Sequence, residues 1–218
     1  MSSSLPITLG GKFATTVAGY PGYIESNYGS PSMPGSDFEV VVRHQDGSLR
    51  HWWRDDNGVW HFGTTIVTSG VQMSGPSLIK ANVGNQGNLY VAVVMNTGRM
   101  RMYWRNDDVS TLPWVEGEEF GAGIGKTPPV MIQSNYGTQN EKSIGNFELL
   151  AAVNGRVQYW RRNNSNLGTT GPQPGVVGPW SLVNTFGSGI HSVWSLLQGP
   201  FNQDMEAIVE LDNGYLQH

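Results

Sequence analysis

Three Trp-Arg pairs recur along the chain, and these residue types suit the binding of a polar, uncharged ligand. The pairs are Trp53-Arg54, Trp104-Arg105 and Trp160-Arg161. An aromatic ring can stack on the apolar C–H face of a sugar, while a guanidinium donates hydrogen bonds to its hydroxyls. The structural alternative is that tryptophan packs between neighbouring units and arginine pairs with a carboxylate. The pairs are therefore candidate ligand-binding residues and candidate packing residues alike.

Polar and aromatic residues also recur in a short frame upstream of each pair. The segments "YIESNYG" (23–29), "LIKANVG" (78–84) and "MIQSNYG" (131–137) share one pattern. Its asparagines are turn-formers by default, because each stands two residues before a glycine. Copy two has Val83 where the others have tyrosine, so we expect a weaker site or none in that copy. The candidate ligand-binding residues of the frame are Glu25, Asn27, Tyr28, Asn82, Gln133, Asn135 and Tyr136.

The chain carries no recognisable catalytic or metal-binding motif. It has no nucleophile elbow, no His-Glu-x-x-His and no phosphate-binding loop, and its five histidines follow no repeat position. The acidic segment "DDNG" (55–58) lacks the alternating oxygen ligands and the terminal glutamate of a calcium loop. Glu116, Glu118 and Glu119 cluster in one copy only, which is typical of a solvated face. We therefore expect no enzymatic activity, no cofactor and no metal site.

The candidate residues belong to four copies of one unit. In each copy an apolar run follows the frame: "DFEVVV" (37–42), "NLYVAVV" (88–94), "NFELLAAV" (146–153) and "MEAIVEL" (205–211). A glycine-led turn and a third run come next, and a fourth run carries an aromatic residue with a large apolar residue six positions later. Trp60 with Ile66, Trp114 with Phe120 and Trp180 with Phe186 keep that spacing. Repetition of this length predicts a repeat architecture.

The missing part of copy four matches the beginning of the chain. Copy four ends at His218 before any fourth run, whereas "LPITLGGKFATTV" (5–17) carries Ile7 and Phe13, also six apart. Short strands bounded by turns cannot bury both faces alone and must stack on neighbours. The sequence therefore predicts an all-β fold, a small β-propeller of four blades with four antiparallel strands each, closed by the N-terminal strand completing the C-terminal blade.

We expect a single domain over residues 1–218, with repeats at about 23–77, 78–130, 131–195, and 196–218 plus 1–22. A β-sandwich or β-prism built from the same strands is the alternative fold. It gives no reason for the N-terminal segment to match the missing end of copy four.

Composition narrows the classes of partner. With 17 acidic against 13 basic residues the net charge is −4, which argues against a nucleic-acid partner held by phosphate contacts. No cysteine is present, so no disulfide is expected, and no apolar stretch reaches the length of a transmembrane helix, so no membrane insertion is expected. The N-terminus "MSSSLPITLGG" lacks the basic region and the apolar run of a signal peptide. We expect synthesis in the cytoplasm, with non-conventional release left open.

The repeated units resemble those of fungal and bacterial β-propeller lectins. The clearest copy reads "QSNYG…GNFELLAAVNGRVQYWRRNN" (133–164), and the resemblance extends over nearly the whole chain. It implies a multivalent, sugar-binding protein with glycan partners and several equivalent sites, often between adjacent blades. Copy four departs from the pattern, which puts a fourth site in doubt. A protein-interaction or structural propeller scaffold is the first alternative function, and a glycosidase is the second.

Overall fold

The computed structural model describes residues 11–26, 37–55, 57–84, 86–137, 144–164, 179–199 and 203–218. These residues form fifteen β-strands in four antiparallel sheets. Within the described ranges, no helix has the length and hydrophobicity needed to cross a bilayer.

Each sheet is built from strands that are consecutive in the chain. The first consists of β1 (Gly22–Ser26), β2 (Asp37–Arg43), β3 (Leu49–Arg54) and β4 (Trp60–Val67). The second consists of β5 (Ser77–Lys80), β6 (Leu89–Val94), β7 (Met100–Arg105) and β8 (Trp114–Phe120). The third consists of β9 (Val130–Gln133), β10 (Phe147–Val153), β11 (Arg156–Arg162) and β12 (Trp180–Phe186). The fourth consists, among the described residues, of β13 (Ile190–Gln198), β14 (Met205–Leu211) and β15 (Leu216–Gln217).

The four sheets are the blades of a four-bladed β-propeller, as the repeats predict. The first strands of successive sheets touch one another, β1 with β5, β5 with β9 and β9 with β13, so they line the centre. Each chain segment then runs outward through its sheet as a meander. The fourth blade begins with β13 at Ile190, so this strand crosses the predicted copy boundary at 195/196.

Glycine turns fix the register of the two middle strands in every blade. Gly47, Gly98, Gly155 and Gly214 follow the second strand and have φ of 79°, 74°, 74° and 82°. Such left-handed conformations suit glycine and produce the tight turn of a hairpin. In blades two and three the second strands that result are covered on both faces by neighbouring blades. For this reason β6 and β10 are buried along their whole length.

The aromatic residue of each fourth strand and the large apolar residue six positions later have a packing role. Phe120 at the end of β8 stacks on Trp180 of the next blade, with ring centroids 4.7 Å apart and planes 8° apart. The same phenyl ring meets the edge of Trp160 at 5.4 Å. The large residue at the end of one outer strand therefore packs on the tryptophan that opens the next blade's outer strand, and joins the two blades.

Phe13 makes the same two contacts on the first blade. Its ring stacks on Trp60 at 4.0 Å and meets Trp52 at 5.8 Å, as the ring of Phe120 does with Trp180 and Trp160. Phe13 thus occupies the position that the outer strand of a fourth blade would supply. The remainder of the predicted closing strand, including Ile7, lies outside the described residues. Closure by the N-terminal strand stays a prediction, which the contacts of Phe13 support.

Candidate functional site

Strand register places the three Trp-Arg pairs in two different structural positions. Arg54, Arg105 and Arg162 pair with Phe38, Leu89 and Phe147, the same position of the second strand in each blade. Trp160-Arg161 therefore lies one residue earlier than the other pairs. Because side chains alternate between the two faces of a strand, Trp160 corresponds to Trp52 and faces the opposite side from Trp53.

A pocket lined by several polar and charged side chains lies between blades one and two. It has a volume of about 620 Å³. Blade one contributes β2, β3 and β4, and blade two contributes the end of β7 and the loop before β8. The lining side chains that matter for its chemistry are Glu39, His51, Trp53, Thr64, Arg105 and Trp114.

Buried charged groups form the floor of this pocket. Arg105, from blade two, donates hydrogen bonds to Glu39 of blade one at 2.8 Å and to Asp107 at 2.6 Å. His51 contacts the second carboxylate oxygen of Glu39 through Nε2. The four residues are between 1% and 4% exposed. Buried charges require this mutual pairing, since each left alone would be strongly destabilising.

The pKa values of the two carboxylates that Arg105 binds are shifted in opposite directions. Burial alone would raise the pKa of Glu39, but the hydrogen bond with His51 and the charge of Arg105 outweigh it and lower the pKa. Burial dominates at Asp107 and raises its pKa above the ordinary value, although Arg105 opposes that shift. One guanidinium holds both carboxylates, an arrangement that suits a fixed hydrogen-bonding surface.

Aromatic rings stand beside the charged floor. Trp114 lies over the Arg105 guanidinium at 5.9 Å and beside the His51 ring at 5.6 Å. Trp53 stacks on His61 at 4.4 Å. Gly63 faces the His51 ring so closely that a Cβ there would collide with it. The pocket therefore combines hydrogen-bond donors, acceptors and flat apolar surfaces within one volume.

Two blades keep part of the floor, and one has lost it. Glu148 and Glu206 hold the register position of Glu39 in blades three and four. In blade two that position is Tyr90 instead of a glutamate, and the ring of Tyr90 contacts the guanidinium of Arg162 in the next blade. Arg162 is buried, and its pKa is lowered by that burial. The interface between blades two and three is thus mainly an apolar contact.

Blade three assembles a second cluster from its own residues. Arg161 contacts Glu148 at 3.0 Å, and Tyr159 donates a hydrogen bond to the same carboxylate at 2.6 Å. The Arg161 guanidinium lies 4.9 Å from the ring of Tyr136, whose hydroxyl donates to the carbonyl of Gln203 in blade four. Burial, followed by the neighbouring Glu148, raises the pKa of Tyr159. This cluster again pairs a carboxylate and a guanidinium with aromatic rings.

The remaining predicted ligand-binding residues occupy varied surroundings. Glu25 is exposed on β1, and Asn27 and Tyr28 lie outside the described residues. The backbone N–H of Asn82 donates to the side chain of Gln133 at 2.8 Å, and that of Asn135 donates to Gln198 at 2.6 Å, so both glutamines connect successive blades. Trp104 is buried in the hydrophobic cluster between blades two and three. Arg54 donates to the carbonyl of Gly58 at 3.2 Å.

Sequence reasoning missed Glu39, His51, Asp107 and Trp114 as members of the main cluster. The expectation that histidines follow no repeat position is wrong, because His218 in the fourth blade holds the register position that His51 holds in the first. His218 contacts Glu206 as His51 contacts Glu39. The available signal was a glutamate inside an apolar strand of three copies, since a buried carboxylate demands a partner. Among the described residues, no group of three or more His, Cys, Asp or Glu could hold a metal ion.

No protein-family model and no curated protein matches the chain. Solved structures of similar fold include a mutant of AofleA from Arthrobotrys oligospora, with 10% identity, a TM-score of 0.61, and coverage of 90% of this chain and 51% of that one. A fucose-specific lectin from Aleuria aurantia has 15% identity, a TM-score of 0.60 and coverage of 91% and 60%. A mutant of Aleuria aurantia lectin in complex with Fucα1-6GlcNAc has 12% identity, a TM-score of 0.57 and coverage of 92% and 59%. The chain spans between 51% and 60% of the length of these proteins. At such identities the likeness shows that the chain shares their β-propeller fold.

Proposed function

We propose that the protein is a non-enzymatic, multivalent lectin that binds glycans through pockets between its blades. The observation that carries the proposal is the pocket between blades one and two. There, Arg105, Glu39 and His51 form a hydrogen-bonding floor beside Trp114. A pyranose presents hydroxyls on its edges and C–H groups on its faces, so it needs donors, acceptors and an aromatic surface together.

The first sugar to test is L-fucose. The similar solved structures include a fucose-specific lectin and a lectin in complex with α-methyl-L-fucoside. A pocket of about 620 Å³ admits a monosaccharide with room for solvent. The floor is fixed by mutual ion pairs before any ligand arrives, and such preorganisation lowers the entropic cost of binding.

Multivalency rests on the second cluster, formed by Glu148, Tyr159, Arg161 and Tyr136 on blade three. Its side chains offer the same chemistry as those of the first pocket. Tyr136 connects this cluster to blade four through its hydrogen bond to the carbonyl of Gln203. Two weak sites on one rigid scaffold raise effective affinity for a glycan-coated surface by about 10² to 10⁴. Trp53, Arg105, Tyr136 and Arg161 are accordingly the predicted residues that we retain as first candidates for contact with the sugar.

Titration of the protein with methyl α-L-fucoside in a calorimeter, combined with a glycan array, tests the proposal. Glu39→Gln keeps the shape of the floor but removes the charge that holds Arg105, so affinity should fall by about tenfold or more. Glu116→Gln is the matched control, because Glu116 is an exposed carboxylate that pairs with Arg101. Thermal melting must show that both variants are folded at the temperature of the titration.

An array without any signal above background would overturn the lectin proposal. Retention of a protein ligand in the presence of excess free sugar would instead favour the interaction-scaffold alternative. Turnover of an aryl glycoside that stops when one Asp or Glu is changed would favour the glycosidase. Equal affinities of the Glu39→Gln and Glu116→Gln variants would move the site away from blades one and two.

A further inference from the structure

A separate cavity lies at one end of the central channel, where all four blades meet. It has a volume of about 520 Å³. Blade one contributes Gly22, blade two Ser77, blade three Val130, and blade four Val193 from the beginning of β13. No residue of the pocket between blades one and two takes part in its lining.

Hydroxyl groups surround the channel at one position of the repeat. Ser74, Thr127 and Ser192 each stand three residues before the register-equivalent positions Ser77, Val130 and Ser195. Ser74 is 2% exposed, and its Oγ has no hydrogen-bond partner among the described residues, nor does Oγ1 of Thr127. Buried hydroxyls without partners are rare in folded proteins, because their desolvation is uncompensated. Both residues line the cavity, and neither hydroxyl is committed to a partner among the described residues.

Three of the most exposed large apolar side chains form the rim of the same cavity. Met73 is 67% exposed, Tyr20 61% and Trp194 53%, and they come from three different blades. Tyr20 and Trp194 meet edge to face at 6.2 Å across the rim. Clustered exposed aromatic residues around a concavity are typical of a ligand-binding mouth.

The charges around the cavity balance. Lys126 supplies one cation, and Glu210 supplies one anion that accepts hydrogen bonds from Ser192 at 2.9 Å and from the Trp194 indole at 3.0 Å. His191 lies 3.9 Å from Asp212, a further carboxylate outside the cavity. A balanced set of this kind offers no net attraction to an ion of either sign.

We propose that this axial cavity is a second kind of binding site, which takes a neutral hydroxylated ring such as a single pyranose unit. The ring lies against Trp194 and Tyr20 at the rim, and its hydroxyls reach Ser74 and Thr127 below. The site is independent of the pocket between blades one and two, and it stands whether or not that pocket binds sugar.

Fluorine NMR of the full chain, labelled with 5-fluorotryptophan, tests the axial site. The chain has eight tryptophans, and the Trp194 resonance is identified by its loss in Trp194→Phe. The probes are methyl glycosides of fucose, galactose, glucose and mannose, with glucuronate as the charged comparison. We expect a saturable shift of the Trp194 resonance with at least one neutral glycoside and none with glucuronate.

Two further variants link the shift to the buried hydroxyls. Thr127→Val and Ser74→Ala should each lower the affinity for the glycoside about two- to tenfold, which is the contribution of one hydrogen bond. Thr97→Val removes an exposed hydroxyl outside the cavity and should leave it unchanged. A Trp194 resonance that no neutral glycoside moves would overturn the proposal, and so would equal shifts in the hydroxyl variants and the parent. The Trp53 and Trp114 resonances report the other pocket in the same spectra, so failure of one site is distinguishable from failure of the other.

Discussion

Replacing Phe13 by alanine tests whether the N-terminal segment closes the propeller. Phe13 and Phe120 occupy equivalent places, each stacked on the tryptophan that opens an outer strand. The matched pair of variants is therefore Phe13→Ala and Phe120→Ala, with Lys12→Ala as a control for the same segment. If the segment is a genuine part of the ring, both phenylalanines should contribute to the free energy of unfolding.

The expected magnitudes follow from burial. Phe120 is 5% exposed, and truncating a buried phenylalanine costs about 3 to 5 kcal/mol. Phe13 is only half-buried, so its truncation costs part of the roughly 1.5 to 3 kcal/mol that full burial contributes. Loss of ring stacking adds about 0.5 to 1.5 kcal/mol. A total near 1.5 to 3 kcal/mol corresponds to a fall in Tm of about 3 to 12 °C for a chain of this length.

Thermal melting followed by circular dichroism measures these differences, and deletion of residues 1–13 completes the series. The deletion should lower Tm at least as far as Phe13→Ala. It should also promote aggregation, because loss of Phe13 uncovers the rings of Trp52 and Trp60 on blade one. A soluble deletion variant with the melting curve of the parent would refute circular closure by this segment.

Three further predictions concern the candidate pocket and the tryptophans of two Trp-Arg pairs. The pKa of Glu39 is lowered in the folded protein, so as pH falls below the ordinary value of 4.5 this carboxyl is protonated first in the unfolded chain. The stability that Glu39 contributes is therefore fully present above that pH and is lost as pH falls through the folded pKa. Glu39→Gln should flatten the acid limb of a denaturant-unfolding series, and parallel curves would contradict this. Trp160→Ala should cost about 3 to 5 kcal/mol of stability, whereas Trp53→Ala should cost about 0.5 to 1.5 kcal/mol and mainly weaken sugar binding; equal melting points would argue against the distinction. Gly63→Ala places a Cβ against the ring of His51 and should weaken binding measured by calorimetry, while unchanged affinity would exclude His51 from the site.

The fold could be predicted from the sequence because its determinants are local and repeated. Alternating apolar runs and glycine turns such as Asp46-Gly47 define hairpins without knowledge of distant residues. Fourfold repetition then predicts that the sheets close into a ring. The six-residue spacing between Ile7 and Phe13 predicts which segment closes it.

The site was only partly predictable, because its essential contacts join different blades. Glu39 and Arg105 are 66 residues apart, and nothing in their local sequence pairs them. The third Trp-Arg pair also looked equivalent to the others, although register moves Trp160 to the opposite face of its strand. A slip of one residue is invisible in a short motif but reverses which side of a blade a side chain serves.

The size of the residue six positions into the outer strand distinguishes the interface between blades one and two from that between blades two and three. Ile66 lines the pocket between blades one and two, opposite Trp114. At the next interface the equivalent residue is Phe120, whose ring fills the space against Trp180. Ile66→Phe should therefore close the first pocket with a phenyl ring stacked on Trp114, and the interface between blades two and three shows that the fold accepts this packing. We expect binding of methyl α-L-fucoside to be lost in calorimetry while Tm stays within a few degrees of the parent, with Ile66→Leu as the control that keeps volume without a ring. Unchanged affinity in the phenylalanine variant would mean that the ligand does not enter between blades one and two.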